Sequence, residues 1–347
     1  MYVIYFNNDY SEGCHEKVME ALLQTNNEQT SGYGTDIYCE KAAAQIRKLC
    51  CAKNAAVHFL VGGTQTNLTV IAAALRPYQG VLCADSGHIH VHETGAVEAT
   101  GHKVLALPAV EGKITASQIK DYVSAHYADD AVEHIVQPKL VYLSQSSEWG
   151  TLYSLSELKE ICAVCRECGL YLFVDGARLA YALTASGNDV TLEALAQLCD
   201  VFYIGGTKCG ALFGEAVVIT NPVLNQDFRY MIKQRGGMLA KGRLLGVQFD
   251  ALLSDGLYFR IAERANKMAD QIREALSQLK HPLFVKGVTN QIFVTLPDVL
   301  LDKLEKEFVF SAQCRVDDTH RVVRICTSWA TTQENTDILC DALRKYS

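Results

Sequence analysis

The stretch SLSELKEICAVCRECGLYLFVD, residues 154–175, decides the fold class, because it reads as a helix that passes directly into a buried strand. A serine start signal with a glutamate downstream opens the helix, and Gly169 ends it. The strand LYLFVD, residues 170–175, is continuously apolar up to its last residue rather than alternating. Such a run is typical of a strand covered on both faces. The segment therefore predicts one helix–strand unit of a parallel sheet.

The same alternation recurs on both sides of this segment. Further strands are predicted in AAVHFLVGG, GVLCAD, PKLVYLSQ, DVFYIGG and EAVVIT, and a helix in TQTNLTVIAAAL. Strands separated by helices favour an α/β fold with a mostly parallel sheet between helices. After residue 244 the pattern changes to one long helix over residues 246–279, two or three strands and a terminal helix. We predict a large domain over residues 1–244, with an N-terminal segment 1–40, and a small α+β domain over residues 245–347.

Composition excludes several classes of function. The chain has 347 residues, 49% of them apolar and 20% charged, which suits a globular protein with a large core. Its net charge is −7 with no basic block, which argues against nucleic acid or an anionic membrane as the main partner. We expect no signal peptide and no membrane span, because no apolar run reaches about 18 residues. The expected location is the cytoplasm.

Thirteen cysteines are expected to be reduced and mostly buried in such a protein. Cys162, Cys165 and Cys168 stand three residues apart, and two readings exist for them. One is a metal or iron–sulfur site. The other is a buried stripe on one helix face. We favour the stripe, since no fourth ligand follows and a strand begins within a few residues.

Polar residues stand at the ends of the predicted strands, where ligands bind in open α/β sheets. Several such residues in one chain suggest a single pocket. These residues are Gly62, Gly63, Thr64, Gln65, His88, Glu93, Asp175, Arg178 and Lys208.

Asp175 and Lys208 follow successive predicted strands and form the pair that pyridoxal phosphate requires. The amine bonds to the cofactor aldehyde, and the carboxylate keeps the pyridine nitrogen protonated. A structural ion pair, or a helix N-cap at Asp175, would be the simpler reading. The glycine-rich turn at Gly63 and Thr64, opening a helix, adds amide donors for a phosphate. The three features together favour the cofactor.

Several motifs carry a resemblance that runs nearly end to end. The chain resembles the threonine aldolase family of fold-type I pyridoxal-phosphate enzymes. The motifs are NNDYSEGCHEKVMEAL, SGYGTDIYCEKAAAQI, HFLVGGTQTN, SGHIHVHETGA, LYLFVDGARLAYAL, YIGGTKCGALFGEAVV and VVRICTSWATTQENTD.

The resemblance implies a role for individual residues. It gives Lys208 as the Schiff-base lysine, Asp175 as the partner of the pyridinium, and Arg178 near the phosphate or the lysine. It gives His88 as the residue that stacks on the cofactor ring. Phosphate contacts would come from Gly63, Thr64 and Gln65. The substrate would be bound by Asp9 and by Arg324, which would clamp its carboxylate.

The implied reaction is the cleavage of L-threonine, or of a related β-hydroxy-α-amino acid, to glycine and an aldehyde. His88 is our candidate base and Glu93 the second candidate. A metal site at His88, His90 and His92 is the less favoured reading of that segment. A homodimer or homotetramer is implied, with phosphate contacts from Lys233, Arg235 or Lys241 of a neighbouring subunit.

The segment SQSSEWGTLYS, residues 144–154, departs from the family pattern and leaves the specificity and the base open. Two alternatives therefore remain. One is another enzyme on the same scaffold, a β-eliminating lyase or an aminotransferase. The other is a protein that binds pyridoxal phosphate without turnover. A nicotinamide-dependent enzyme is a weaker third alternative, because no G-x-G-x-x-G motif follows the first predicted strand.

Overall fold

The computed structural model describes residues 3–347, so the first two residues of the predicted N-terminal segment lie outside it. Its strands are β1 (Ile4–Tyr5), β2 (Ala56–Leu60), β3 (Gln79–Ala84), β4 (Lys103–Leu107), β5 (Gln137–Ser144), β6 (Tyr171–Asp175), β7 (Val201–Gly205), β8 (Glu215–Ile219), β9 (Gln291–Pro297), β10 (Phe308–Val309), β11 (Ser311–Arg315) and β12 (His320–Cys326).

Fourteen α-helices connect and cover these strands within residues 3–347. They are α1 (Glu16–Thr25), α2 (Ile37–Leu49), α3 (Gly63–Ala74), α4 (His88–Val91), α5 (Ala116–Ala128), α6 (Leu155–Glu167), α7 (Leu179–Leu183), α8 (Leu192–Leu198), α9 (Pro222–Asn225), α10 (Phe228–Gln234), α11 (Arg243–Leu253), α12 (Leu257–Gln278), α13 (Asp298–Leu304) and α14 (Gln333–Tyr346).

The large sheet has the strand order β2-β8-β7-β6-β5-β3-β4. All neighbours pair in parallel except β8, which runs antiparallel to both β7 and β2. Only residues 206–214 join β7 to β8, too few for the crossover that parallel strands need. The predicted mostly parallel sheet between helices is confirmed. Strand β4 and helix α5 are missing from the sequence-based prediction.

The prediction of one long helix over residues 246–279 is wrong in one respect, because the structure has two helices in this region. Helices α11 and α12 are separated at Ser254–Gly256, where Asp255 has φ 54° and Gly256 has φ 67°. These left-handed conformations cannot continue a helix, and a serine–aspartate–glycine sequence accommodates them.

Two hydrophobic cores, one against the large sheet and one in the small domain, meet inside α12. Residues up to Ala265 pack in the core of the large sheet, whereas residues from Ala269 pack against β9, β12 and α14. Ile4 and Phe6 belong to this second core as well. The small domain contains the antiparallel sheet β11-β12-β9 and the parallel pair β1-β10. We therefore propose that the domain boundary lies within α12, about 20 residues beyond the one predicted from the sequence.

The cysteine stripe lies on α6. Cys162 and Cys165 are buried in the large core, and Cys168 is half-buried at the end of the helix. Burial raises the pKa of all three thiols, which keeps them protonated and unreactive. Over residues 3–347 no group of three or more potential metal-ligating side chains is found. In the same part of the chain, no helix combines the length and apolar character that crossing a membrane would require.

Replacing Gly246 by alanine should destabilise the protein. A Cβ there would lie 2.3 Å from the backbone nitrogen of Cys39, so α11 and α2 would have to separate. Helix propensity alone favours alanine over glycine by about 1 kcal/mol. A loss of stability in Gly246→Ala would therefore come from the close contact between the two helices. We expect about 1–3 kcal/mol of lost unfolding free energy, measured by urea denaturation. In the control Gly13→Ala, the new Cβ meets Leu212 at an ordinary 3.9 Å. Equal stability of both variants would contradict close packing of these helices.

Candidate active site

The polar residues at the strand ends surround one cavity of about 230 Å³. Seven of the residues predicted from the sequence line it: Gly62, Gly63, Thr64, His88, Asp175, Arg178 and Lys208. The turn after β2, the short helix α4 after β3, and the apolar strands β6 and β7 bring them to the same edge of the sheet. The predicted single pocket is thus present.

Asp175, the last residue of β6, sits at the centre of the hydrogen bonds around the cavity. Its Oδ2 accepts from the Tyr142 hydroxyl at 2.6 Å and from Asn67 Nδ2 at 3.0 Å. Its Oδ1 accepts from the Tyr203 hydroxyl at 2.5 Å and from the Ala177 N–H at 2.9 Å. Burial by itself would raise the pKa of Asp175, but the charge of His88 and these donors outweigh burial and lower it. Asp175 is therefore a fixed anion. It is not the N-cap of α7 despite its bond to the Ala177 N–H, because Arg178 occupies that position.

His88 and Glu93 form a hydrogen-bonded pair that Asn67 links to Asp175. His88 Nδ1 lies 2.7 Å from Glu93 Oε1, which also accepts from Asn67 Nδ2 at 2.8 Å. Burial lowers the pKa of His88, but the bond to Glu93 and the charges of Glu148, Asp175 and Glu93 raise it overall. Glu93 is only 5% exposed and does not line the cavity. It is placed to orient the imidazole, while His88 faces the cavity.

Lys208 is half-buried in the loop after β7, and it has no ion pair within 4.0 Å among residues 3–347. Burial lowers the pKa of its amine, and the charge of Arg178 lowers it further, against the opposing carboxylates of Asp9, Glu148 and Asp175. A lysine with a lowered pKa has more of the neutral amine that attacks an aldehyde.

Arg178 holds Asp9 in a bidentate pair. Its Nε and Nη2 donate to the two Asp9 oxygens at 2.8 and 3.0 Å, and Asn290 Nδ2 donates to Oδ2 at 2.8 Å. Burial raises the pKa of Asp9, but the charges of Arg178 and Lys208 and the hydrogen bonds from Arg178 and Asn290 together outweigh burial and lower it. Asp9 is completely buried and does not line the cavity, so its predicted contact with the substrate stays a prediction.

The turn after β2 offers an anion site. Helix α3 begins at Gly63 with no side-chain cap in the described chain, so its first N–H groups are open to a ligand. A Cβ at Gly63 would meet the Tyr203 hydroxyl at 3.1 Å, which indicates close approach at this point. Gln65 points elsewhere, because its side chain bonds the Val61 N–H and the Arg235 carbonyl. The turn, Asp175 and Lys208 fit the three parts of pyridoxal phosphate.

Arg324 lies on β12, outside the lining of the cavity. Its Nη2 donates to the Asn7 carbonyl at 2.8 Å and its Nη1 to Gln291 Oε1 at 3.2 Å. Within residues 3–347 its buried Nε has no partner. Its role as a carboxylate clamp stays a prediction.

Several residues of the cavity were not predicted from the sequence: Tyr10, Asn67, Ser146, Glu148, Tyr203, Thr207 and Glu215. Glu148 belongs to the divergent SQSSEWG segment, which gave a weak signal. Asn67 stands one helical turn after Gly63 and could have been found by that spacing. Of the three histidines considered for a metal site, His88 and His90 lie on the short helix α4 and His92 is its C-cap; only His88 among them lines the cavity.

The comparisons with known proteins agree with this geometry. The family model described as beta-eliminating lyase matches residues 9–298. The chain belongs to this family. The low specificity L-threonine aldolase of Pseudomonas aeruginosa is 32% identical over 302 residues, which cover 86% of each chain. Its counterpart from Saccharomyces cerevisiae is 28% identical over 89% of this chain and 79% of its own.

Solved structures extend the likeness. A structure of Leishmania major threonine aldolase is 44% identical and covers 99% of both chains, with a TM-score of 0.96. An aspartate aminotransferase of Thermus thermophilus is 14% identical with a TM-score of 0.72, over 100% of this chain and 92% of its own, which shows the shared fold alone. The predicted fold-type I architecture, the resemblance to threonine aldolases and the expectation of a pyridoxal-phosphate lyase are confirmed.

Glu93→Gln should lower the pKa of His88, because the amide cannot stabilise the imidazolium as the carboxylate does. Because the pKa of His88 is raised in the folded wild type, protonated His88 stabilises the fold. This contribution is complete below pH 6.5, the usual pKa of histidine, and is lost as the pH rises through the raised pKa of the folded state. The stability difference between the two proteins should therefore be largest below pH 6.5 and shrink above it. NMR titration of the imidazole, assigned with His88→Asn, measures the shift directly. An unchanged His88 titration would contradict the pairing.

Proposed function

We propose that this chain is a pyridoxal-phosphate-dependent aldolase that cleaves L-threonine, or a related β-hydroxy-α-amino acid, to glycine and an aldehyde. The observation that carries the proposal is the meeting of Asp175, Lys208 and the open end of α3 in one cavity. The threonine aldolases among its relatives supply the substrate class.

Four groups would hold the cofactor. The N–H groups of Gly63 and Thr64 would bind its phosphate, and Asp175 would keep the proton on its ring nitrogen. Lys208 would bond to its aldehyde, and the face of His88 would lie against the ring. When bound, pyridoxal phosphate supplies an electron sink for the carbanion that bond cleavage leaves at Cα.

The reaction needs a base at the β-hydroxyl of the substrate, and His88 is the best-placed side chain. Its Nδ1 is held by Glu93, which leaves Nε2 to take the hydroxyl proton. Glu93, the second candidate base, would therefore act through His88 by orienting its ring. Glu148 also lines the cavity, so it can bind the same hydroxyl and raise the basicity of His88.

The substrate carboxylate would pair with an arginine. Arg324 has a buried Nε without a partner in the described chain, and it would exchange its bonds to Asn7 and Gln291 for a bidentate carboxylate. Arg178 already has its fork occupied by Asp9, so its charge serves mainly to lower the pKa of Lys208.

A second candidate reaction is β-elimination, which the description of the matching family favours. The same cofactor and the same lysine support it, because the electron sink serves both bond cleavages. The products separate the two: elimination from L-serine gives pyruvate and ammonia, whereas aldol cleavage of L-threonine gives glycine and acetaldehyde.

We also propose that the chain acts as a homodimer or homotetramer in the cytoplasm, with phosphate contacts from Lys233, Arg235 or Lys241 of a neighbouring subunit. The resemblance to the threonine aldolase family supports this assembly. Sedimentation of the purified protein tests it.

Purified wild-type protein should convert L-threonine to equal amounts of glycine and acetaldehyde. Lys208→Ala should lose both turnover and the cofactor absorption that borohydride fixes to the chain, since no other lysine of residues 3–347 lines the cavity. The exposed Lys120, which pairs with Glu167, gives a matched control, and Lys120→Ala should keep both properties. Product analysis and spectra measure the two effects. 2-Oxobutyrate and ammonia as the main products from L-threonine, or full activity in Lys208→Ala, would overturn the proposal.

A further inference from the structure

Glu215 is a buried carboxyl group at the phosphate end of the cavity. It is the first residue of β8 and pairs with Leu60, the last residue of β2, so it stands beside the turn that opens α3. Its side chain lines the cavity although the residue is only 3% exposed. Its Oε1 accepts from the Thr207 hydroxyl at 3.0 Å. Its Oε2 is buried and has no hydrogen-bond partner within residues 3–347.

An unpartnered buried oxygen is costly for a carboxylate and cheaper for an acid that can donate to a ligand. The groups that face Glu215 are Lys208, Asp175, Tyr203 and Tyr258. Burial raises the pKa of Glu215 to about 8, against the Thr207 hydrogen bond and the charge of Lys208, which lower it. At neutral pH the acid form therefore prevails, and Oε2 can carry the proton.

The neighbouring α3 terminus makes the protonation state matter. Its open N–H groups attract anions, and a carboxylate anion beside them would repel a phosphate group. A protonated acid in the same place removes the repulsion and adds one donor. Lys208 does not serve as the compensating partner, because it has no ion pair with Glu215 within 4.0 Å in the described chain and its own pKa is lowered.

We propose that Glu215 binds phosphate as a neutral acid, with the O–H of Oε2 donated to a phosphate oxygen, so that anion binding in this cavity is linked to one proton. The ligand chemistry is a phosphate monoester or inorganic phosphate. For the monoester of the cofactor, the inference rests on the proposed function. The proton stays on Glu215, and no bond other than a hydrogen bond forms.

Pyridoxamine 5′-phosphate and pyridoxamine are the matched probes, because neither has an aldehyde that could bond to Lys208. The affinity of the full-length, cofactor-free chain for each is measured by calorimetry across the pH range around 8. The ratio of the two affinities isolates the phosphate contribution from any charge change that affects both ligands. The phosphate itself remains a dianion above its second pKa of about 6.

In the wild type we expect the affinity ratio to be constant below about pH 8 and to fall about tenfold per pH unit above it, as the acid loses its proton. In Glu215→Gln, whose amide still donates but cannot titrate, the ratio should stay flat. Glu148→Gln removes a different carboxyl of the same cavity and should keep the wild-type fall. A flat ratio in the wild type, or an unchanged fall in Glu215→Gln, would refute the proposal.

A parallel titration with inorganic phosphate identifies the source of the ligand. If inorganic phosphate binding shows the same dependence on pH, the pocket accepts phosphate in general. If only binding of the ester shows it, the pocket is specific for the cofactor. Both results support Glu215 as the acid. Failure of the proposed function looks different: a cavity that takes no pyridoxal phosphate binds neither pyridoxamine compound, and a different reaction on the same cofactor changes the products from L-threonine but not the affinity ratio.

Discussion

The carboxylate of Asp175 is the constraint on which the rest of the site depends. A buried anion is tolerated only when donors surround it, and this one accepts four hydrogen bonds from four different parts of the chain. Tyr142 and Tyr203 come from the strands on either side of β6, and Asn67 comes from the first turns of α3. The bonds therefore fix the phosphate turn, the sheet edge and the lysine loop relative to one another. Asn67 also bonds Glu93, which extends this ordering to His88.

The buried carboxyl groups in and around the cavity do not all have the same protonation state. Asp175 is kept ionised by its donors, whereas Glu215 is kept neutral by burial with too few donors. Asp9, which does not line the cavity, is an anion paired with Arg178, and the positive charge of Arg178 favours the neutral amine of Lys208. Groups of the same chemical type thus take different roles because their surroundings differ.

Much of the site could be predicted from the sequence, because Asp175 and Lys208 directly follow apolar strands and the carboxyl ends of parallel strands share one edge. Glu215 could not be found in this way. Its strand β8 runs antiparallel, so the residue that reaches the site is the first of the strand rather than the one after its end. The tyrosines were hidden because their strands are apolar throughout, which conceals the direction of each side chain. The direction of the Gln65 side chain could not be predicted either, since its position in the motif does not determine where that side chain points, and its contact with the phosphate stays a prediction.

The arrangement of the site implies that pyridoxal phosphate binds in this cavity between Lys208 and Asp175. A crystal structure of the protein with the cofactor and glycine tests it most directly. We predict continuous electron density from the Lys208 amine or the glycine nitrogen to the cofactor, with the pyridine nitrogen at hydrogen-bond distance from Asp175 and the phosphate at Gly63 and Thr64. A cofactor bound outside this cavity, or with its pyridine nitrogen turned away from Asp175, would contradict the account.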